Sequence, residues 1–301
     1  GSFSETTTAS FSADFMLGAV DDTPTADTGE GSQSLMGAYS FQIDLNTSFT
    51  GEDSLDVSID AGNAGTEGIA EFDGNGGGDG LTVDGVSYTF PIGEKITAIV
   101  GADTDGSALF TTACVYGGPG NMLDDCANVS AGITGGAITV GASYDIGGGF
   151  TAAFGAQTEN TSTFTEESAD AYALNLAYTA DDYGLSLTYG VVEATAGDPA
   201  VLTDEENKYT AINGYYTPEG SLPSISVGYE IGDIGGAAAG ADEQASFMVG
   251  LSWDEVGPGS AGIALGHSST IEGSDEAYQY EAYYSYDIND GMTITPLIFT
   301  K

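Results

Sequence analysis

The chain has 301 residues, in which 46 Asp and Glu face 3 Lys, 1 His and no Arg, for a formal charge of −43. Nucleic acid is not expected as a partner and anionic lipid headgroups are poor ones, because both need Lys or Arg to neutralise phosphate. A hydrophobic content of 41%, with 17 Tyr and 13 Phe, excludes disorder, and the 46 Gly follow no collagen triplet.

In chain order, Phe11, Ala13, Phe15, Leu17 and Ala19 take alternate places, the period of a β-strand with two unlike faces. Leu35, Gly37, Tyr39, Phe41, Ile43 and Leu45 form a second strand, which turns into Leu55, Val57 and Ile59. The run "GNGGGDGL" (Gly74 to Leu81) matches one calcium-binding nonapeptide of a β-roll, but such sites need stacked copies, so a flexible loop is expected there. Thr82 to Phe90 turns through Pro91-Ile92-Gly93 into Ile96, Ala98 and Val100.

An irregular stretch follows, residues 103–137. It holds the only cysteines, Cys114 and Cys126. Two cysteines cannot make a zinc site alone, so a disulfide closing a loop is expected, implying an oxidising compartment, with free thiols as the alternative.

The second half reads as successive hairpins. Ile138 to Ile146 turns through Gly147-Gly148-Gly149 into Phe150 to Ala156, and Tyr172 to Tyr178 turns through Asp181-Asp182 into Tyr183 to Val191. Ile225 to Ile231 follows "TPEGSLP", and Phe247 to Trp253 runs through "EVGPG" into Ala261 to Leu265. Tyr278 to Ile288 turns at Asn289-Asp290-Gly291 toward Met292 and Ile294. The short turns recur about every 35 residues, the length of two strands of about 10 residues, a short turn and a longer polar loop. No helix pattern interrupts them, and no apolar run reaches the roughly 18 residues of a transmembrane helix.

The apolar phase of these strands is rich in Tyr and Leu, whereas the other phase reads Ala173, Asn175, Ala177 or Gly184, Ser186, Thr188, Gly190. Rows so small and polar cannot pack a second sheet. The expected fold is therefore an all-β, transmembrane, antiparallel up-and-down barrel with lipid outside and water inside. About 15 strands are countable and closure calls for an even number, about 16, so either one strand is hidden in a loop or, the preferred expectation, the last strand lies beyond Lys301. A lipid-facing aromatic girdle is expected from Tyr172, Tyr178, Tyr183, Tyr189, Tyr229, Trp253, Tyr278 and Tyr286. The competing reading is a secreted or surface-layer acidic β-protein with a structural or adhesive, calcium-binding role.

"FSETTTASFSADFMLGAV", "VSAGITGGAITVGASYDIGGGFTAAFGA" and "DGMTITPLIF" resemble the barrel of cyanobacterial outer-membrane porins, grouped with the carbohydrate-selective porins. The resemblance implies a single porin domain over residues 1–301, residence in the cell outer membrane and a homotrimer. That family attaches to peptidoglycan through an N-terminal S-layer-homology domain, which these 301 residues do not contain. The chain opens at Gly1-Ser2 without a signal-peptide pattern, which reads as mature or trimmed.

Catalysis finds no support: the single His267 ends a strand, and no "GxSxG", "HExxH" or P-loop occurs. The sequons at Asn46 and Asn160 carry no meaning in a bacterium. What remains is a pore and its charge. Asp44, Asp56, Asp60, Asp145, Glu230, Asp254 and Glu281 fall on the polar phase and are expected to line it, favouring small cations over anions among the solutes that diffuse through. Residues 103–137 are either a constriction folded into the pore, with Asp103, Asp105, Asp124 and Asp125 as its acidic members, or an ordinary external loop. No cofactor is expected beyond weak divalent cations on the loop carboxylates.

Overall fold

The computed structural model describes residues 6–20, 35–65, 72, 74–121, 123–158, 169–193, 206–235, 237 and 242–300. The Asn160 sequon and most of the long loops around residues 159–168 and 194–205 lie outside them. The chain divides into two compact units, residues 1–86 and 87–301, which are described separately.

The first unit holds β1 (Thr7–Gly18), β2 (Met36–Thr47), β3 (Ser54–Gly62) and the start of β4 (Gly78–Ile92). β1 and β2 pair antiparallel from Thr7↔Thr47 to Gly18↔Met36, and β2 pairs antiparallel with β3. The β2–β3 turn is held by buried Asp53, whose Oδ1 accepts the N–H groups of Phe49 and Thr50 and the hydroxyls of Ser48 and Thr50. The Gly74–Leu81 run is not the expected flexible loop. From Gly78 it is strand, and before that the Ala64 N–H donates to the Asn75 carbonyl at 3.1 Å. Gly74 lies so close to Met16 that an added Cβ would sit 2.9 Å from its sulfur, so glycine is what allows the approach.

The second unit continues through β5 (Ile96–Ala102), β6 (Ile138–Gly147), β7 (Phe150–Thr158), β8 (Asp170–Thr179), β9 (Tyr183–Glu193), β10 (Glu206–Tyr216), β11 (Ser224–Asp233), β12 (Glu243–Val256), β13 (Gly259–Ile271) and β14 (Gln279–Asn289). From β5 to β14 each strand pairs antiparallel with its chain neighbour. β15 (Met292–Ile294) and β16 (Leu297–Thr300) both lie on β14, one strand broken at Pro296, which has no N–H for the ladder. The tight turns use left-handed backbone where glycine supplies it, at Gly147, Gly148 and Gly149 and at Gly257.

Side chains alternate as the sequence demands, but the burial runs opposite to that of a water-soluble sheet. Leu174 and Leu185 are both 57% exposed, while Asn175 is 3% and Thr188 0% exposed. From β7 to β11 one face of the sheet is a bare surface of Leu, Val, Ile and Tyr, and the other face is largely covered and polar. A contiguous apolar face of this size does not suit water; it suits hydrocarbon. Tyr172, Tyr183, Tyr189, Tyr229, Tyr278 and Tyr286 are exposed, and Tyr178 and Trp253 half-buried. Tyr178 packs between Phe150 and Tyr183 with its ring tilted to both, at centroid distances of 4.6 and 5.8 Å.

Leu176 faces Leu187 across β8 and β9 on the bare surface. Replacing Leu176→Arg is expected to cost about 2–4 kcal/mol in lipid, against about 0.5 kcal/mol or less on a water-exposed surface. Urea unfolding from lipid vesicles measures the difference, and a cost at the lower level would contradict the assignment of this face to lipid.

Candidate functional site

The covered face is covered by residues 103–137. This segment is irregular, so its backbone N–H and C=O groups have few partners of their own and must find them elsewhere. They find them on the small polar phase of the strands. The Thr111 N–H donates to Asn175 Oδ1 at 3.0 Å, and Asn175 Nδ2 returns a bond to the Thr111 carbonyl at 3.2 Å. The Ala113 N–H donates to Ser186 Oγ at 2.9 Å, and those of Val115 and Tyr116 share Ser226 Oγ at 3.0 Å. Asn213 Nδ2 donates to the Cys126 carbonyl at 2.7 Å, and Ser246 Oγ to that of Ala127 at 3.4 Å. Cys126 and Ala127 both hold left-handed backbone, with φ of 52° and 58°. Gln157 closes the return leg, accepting from the Gly106 N–H at 2.8 Å and donating to the Thr134 carbonyl at 2.6 Å.

Glycines on the same phase make the room. A Cβ at Gly228 would collide with the Cys126 carbonyl, one at Gly155 with the Gly106 carbonyl, and one at Gly190 would lie 2.8 Å from the Ala131 oxygen. A small apolar cluster joins segment to wall, with Tyr116, Leu123, Cys126 and Ala127 of the segment packed on Met248 and Ala264 of the strands. Cys114 and Cys126 are joined as a disulfide with Cα atoms 6.4 Å apart.

Two carboxylates expected in open water are instead sealed under this segment. Glu230 is 1% exposed, and its Oε2 accepts the N–H groups of Ser130 and Ala131 at 2.9 and 2.8 Å. Glu281 is 3% exposed and accepts the Tyr116 hydroxyl at 2.6 Å. Burial, and then the bond to Glu281, push the Tyr116 phenol far above its ordinary value, so it remains a donor at any working pH. Both carboxylates are anchors, because a buried carboxylate requires donors and the folded-in segment supplies them, backbone N–H groups to Glu230 and a phenol to Glu281.

The other expected positions remain outside this cover. In the first unit, half-buried Asp44 accepts from Gln42 Nε2 and Ser58 Oγ, both at 2.8 Å, Asp56 from Ser54 Oγ at 2.7 Å, and Asp60 from Thr82 Oγ1 at 2.5 Å. Asp145 caps the β6–β7 turn by accepting the Gly147 N–H at 2.8 Å, and Asp254 is exposed near the short-turn end of β12. Within the segment, Asp103, Asp105, Asp124 and Asp125 are exposed, and Asp105 ties the two legs together by accepting the Gly135 N–H at 2.7 Å. Among the described residues no three His, Cys, Asp or Glu side chains converge on a metal site. His267 is buried against Phe247, with ring centroids 4.8 Å apart, and bonds Thr270 Oγ1 at 3.0 Å.

No family model and no curated protein matches the chain. Solved structures do. Pseudomonas putida OprB superposes with a TM-score of 0.67 at 12% identity, covering 97% of this chain and 88% of that one. A porin structure matches at 0.58 and 15% identity over 97% and 94%, and Salmonella typhi OmpF in complex with daunomycin at 0.59 and 10% over 95% and 87%. The fold is that of a porin barrel. At these identities the likeness establishes architecture: an antiparallel, up-and-down, transmembrane β-barrel.

The anchoring role of the polar phase was missed by sequence reasoning, which assigned those rows to water. A signal was present, since Gly155, Gly190 and Gly228 punctuate strands whose bare phase is bulky. Glycine inside a strand marks a close backbone approach.

Replacing Glu230→Ala removes the acceptor of the buried Ala131 N–H and the half-buried Ser130 N–H, a loss of about 1–3 kcal/mol for the first and less for the second. Gly228→Val drives a side chain into the Cys126 carbonyl. Both variants are expected to retain β-sheet circular dichroism and heat-shifted migration while residues 103–137 become cleavable by protease. Unchanged resistance to cleavage would contradict the anchoring described here.

Proposed function

We propose that this chain is an outer-membrane porin, a water-filled channel through which inorganic ions and small hydrophilic solutes pass passively, with cations favoured. The observation that carries this reading is the pairing of a bare apolar face with an opposite polar face to which residues 103–137 are bonded. A barrel so lined holds water, and a segment folded onto its inner wall narrows it. The fold shared with OprB and OmpF supports the reading, as does the strand-pattern resemblance to cyanobacterial carbohydrate-selective porins. A homotrimer belongs to the same proposal and is testable by chemical cross-linking in detergent.

Preference for cations rests on charge. Lys208 falls on the bare phase of β10 with Ile212, within 3.7 Å of Glu206, and Lys95 lies 5.8 Å from the ring centroid of Tyr144 on the bare phase of β6. Neither opposes the carboxylates Asp103, Asp105, Asp124 and Asp125 of the segment. Fixed negative charge along a narrow aqueous path concentrates cations and excludes anions, most strongly at low salt. The secreted or surface-layer alternative would leave the bare apolar face in water.

In planar bilayers under a potassium chloride gradient, the reversal potential is expected to show cation preference, weakened by Asp124→Asn with Asp125→Asn and by raised salt. Anion preference would overturn the selectivity. Reducing the disulfide is expected to change conductance, and an unchanged conductance would remove the constriction from the account.

A further inference from the structure

The folded-in segment does not fill all the space beneath it. Between residues 129–135 and the long-loop ends of β7, β8, β9 and β10 lies a cavity of about 230 Å³. Two apolar clusters flank it, Ala131 with Tyr209 and Ala211, and Ile133 with Ala171 and Ala173, and Val192 packs against both. Its lining divides about evenly between apolar and polar surface, with Val129, Ile133, Val192 and Tyr209 giving the apolar part and Ser130, Thr134, Gln157 and Asp170 the polar part.

The polar members differ in one respect. Gln157 is engaged at both ends, by the Gly106 N–H and the Thr134 carbonyl. Asp170 is only 8% exposed, and its carboxylate Oδ1 has no hydrogen-bond partner among the described residues. Its own N–H donates to Glu193 Oε2 at 3.2 Å, so a second carboxylate stands beside it and deepens the negative field. The ammonium of Lys208 is held at Glu206. A buried carboxylate oxygen without a donor is costly, and in this setting the best donor is a cation.

We propose that this cavity binds a small organic ammonium ion, its NH₃⁺ group against Asp170 and its hydrocarbon body against Val129, Ile133, Val192 and Tyr209. A cavity of about 150 Å³ accepts benzene, so this one suits a ligand the size of benzylammonium. A bare Ca²⁺ or Mg²⁺ does not fit the chemistry, since each needs about six or more oxygen ligands and Asp170 is the one carboxylate among the described lining residues. The site goes beyond passage through the pore: it would hold a solute at the entrance between segment and wall.

Calorimetric titration of the protein in detergent with benzylammonium, and with benzyl alcohol as its neutral counterpart, tests this. Saturable binding is expected, favouring the cation by about tenfold or more, with that preference abolished by Asp170→Asn. Ala171→Leu, which reduces the cavity without touching the carboxylate, is expected to weaken both ligands alike, and heat-shifted migration verifies the fold of each variant. Absence of saturable benzylammonium binding, equal affinity for benzyl alcohol, or Asp170→Asn binding the cation like the parent would each overturn the proposal. Undiminished binding by Ala171→Leu would overturn its location. Because binding is read without current, a protein that binds but does not conduct would contradict the channel and leave this site standing.

Discussion

Backbone that leaves the sheet must still have its N–H and C=O groups paired, and in this protein the sheet itself pairs them. Residues 103–137 carry no ladder, so Asn175, Ser186, Ser226, Glu230, Asn213 and Gln157 act as a ladder made of side chains. Each reaches the main chain, so the contacts depend on where the segment runs more than on which residues it contains. That explains why the wall is so exacting, with Gly155, Gly190 and Gly228 placed where the segment's main chain comes closest, while the segment's acidic members remain exposed.

The same constraint links the fold to the channel proposed for it. A segment bonded to the wall at both ends and drawn together by Cys114–Cys126 has a defined path, so the carboxylates on its free side have defined places. Glu230 and Glu281, the two most deeply covered acids of the expected lining, act as fasteners for the segment that carries the exposed ones. Charge in this protein therefore has two uses, structural where it is buried and paired with N–H or O–H groups, and electrostatic where it faces water. With almost no basic residues available, the buried acids are satisfied by backbone and phenol donors rather than by ion pairs.

Strand positions were legible in the sequence because alternation is a local property. Tyr172 to Tyr178 and Tyr183 to Tyr189 state both their period and their bare phase in a few residues. The start of β4 was not legible, because "GNGGGDG" has loop composition, yet the strand begins within it at Gly78. The break at Pro296 was visible in the residue itself, although the alternation around it suggested a continuous strand. The role of the polar phase was legible only in part. Small polar side chains fit water and a covering backbone equally well, and contacts such as Val115 to Ser226, made across 111 residues, are long-range facts that no window reveals.

The whole account stands on the assignment of alternate side chains to hydrocarbon. Spin labels placed one at a time from Tyr183 to Gly190 in lipid vesicles, read by collision with oxygen and with a water-soluble nickel chelate, test it most directly. Oxygen contact should peak at positions 183, 185, 187 and 189 and fall at the places between, with the chelate excluded from the peaks. High chelate contact at Leu185 and Leu187, or two phases that cannot be told apart, would contradict it.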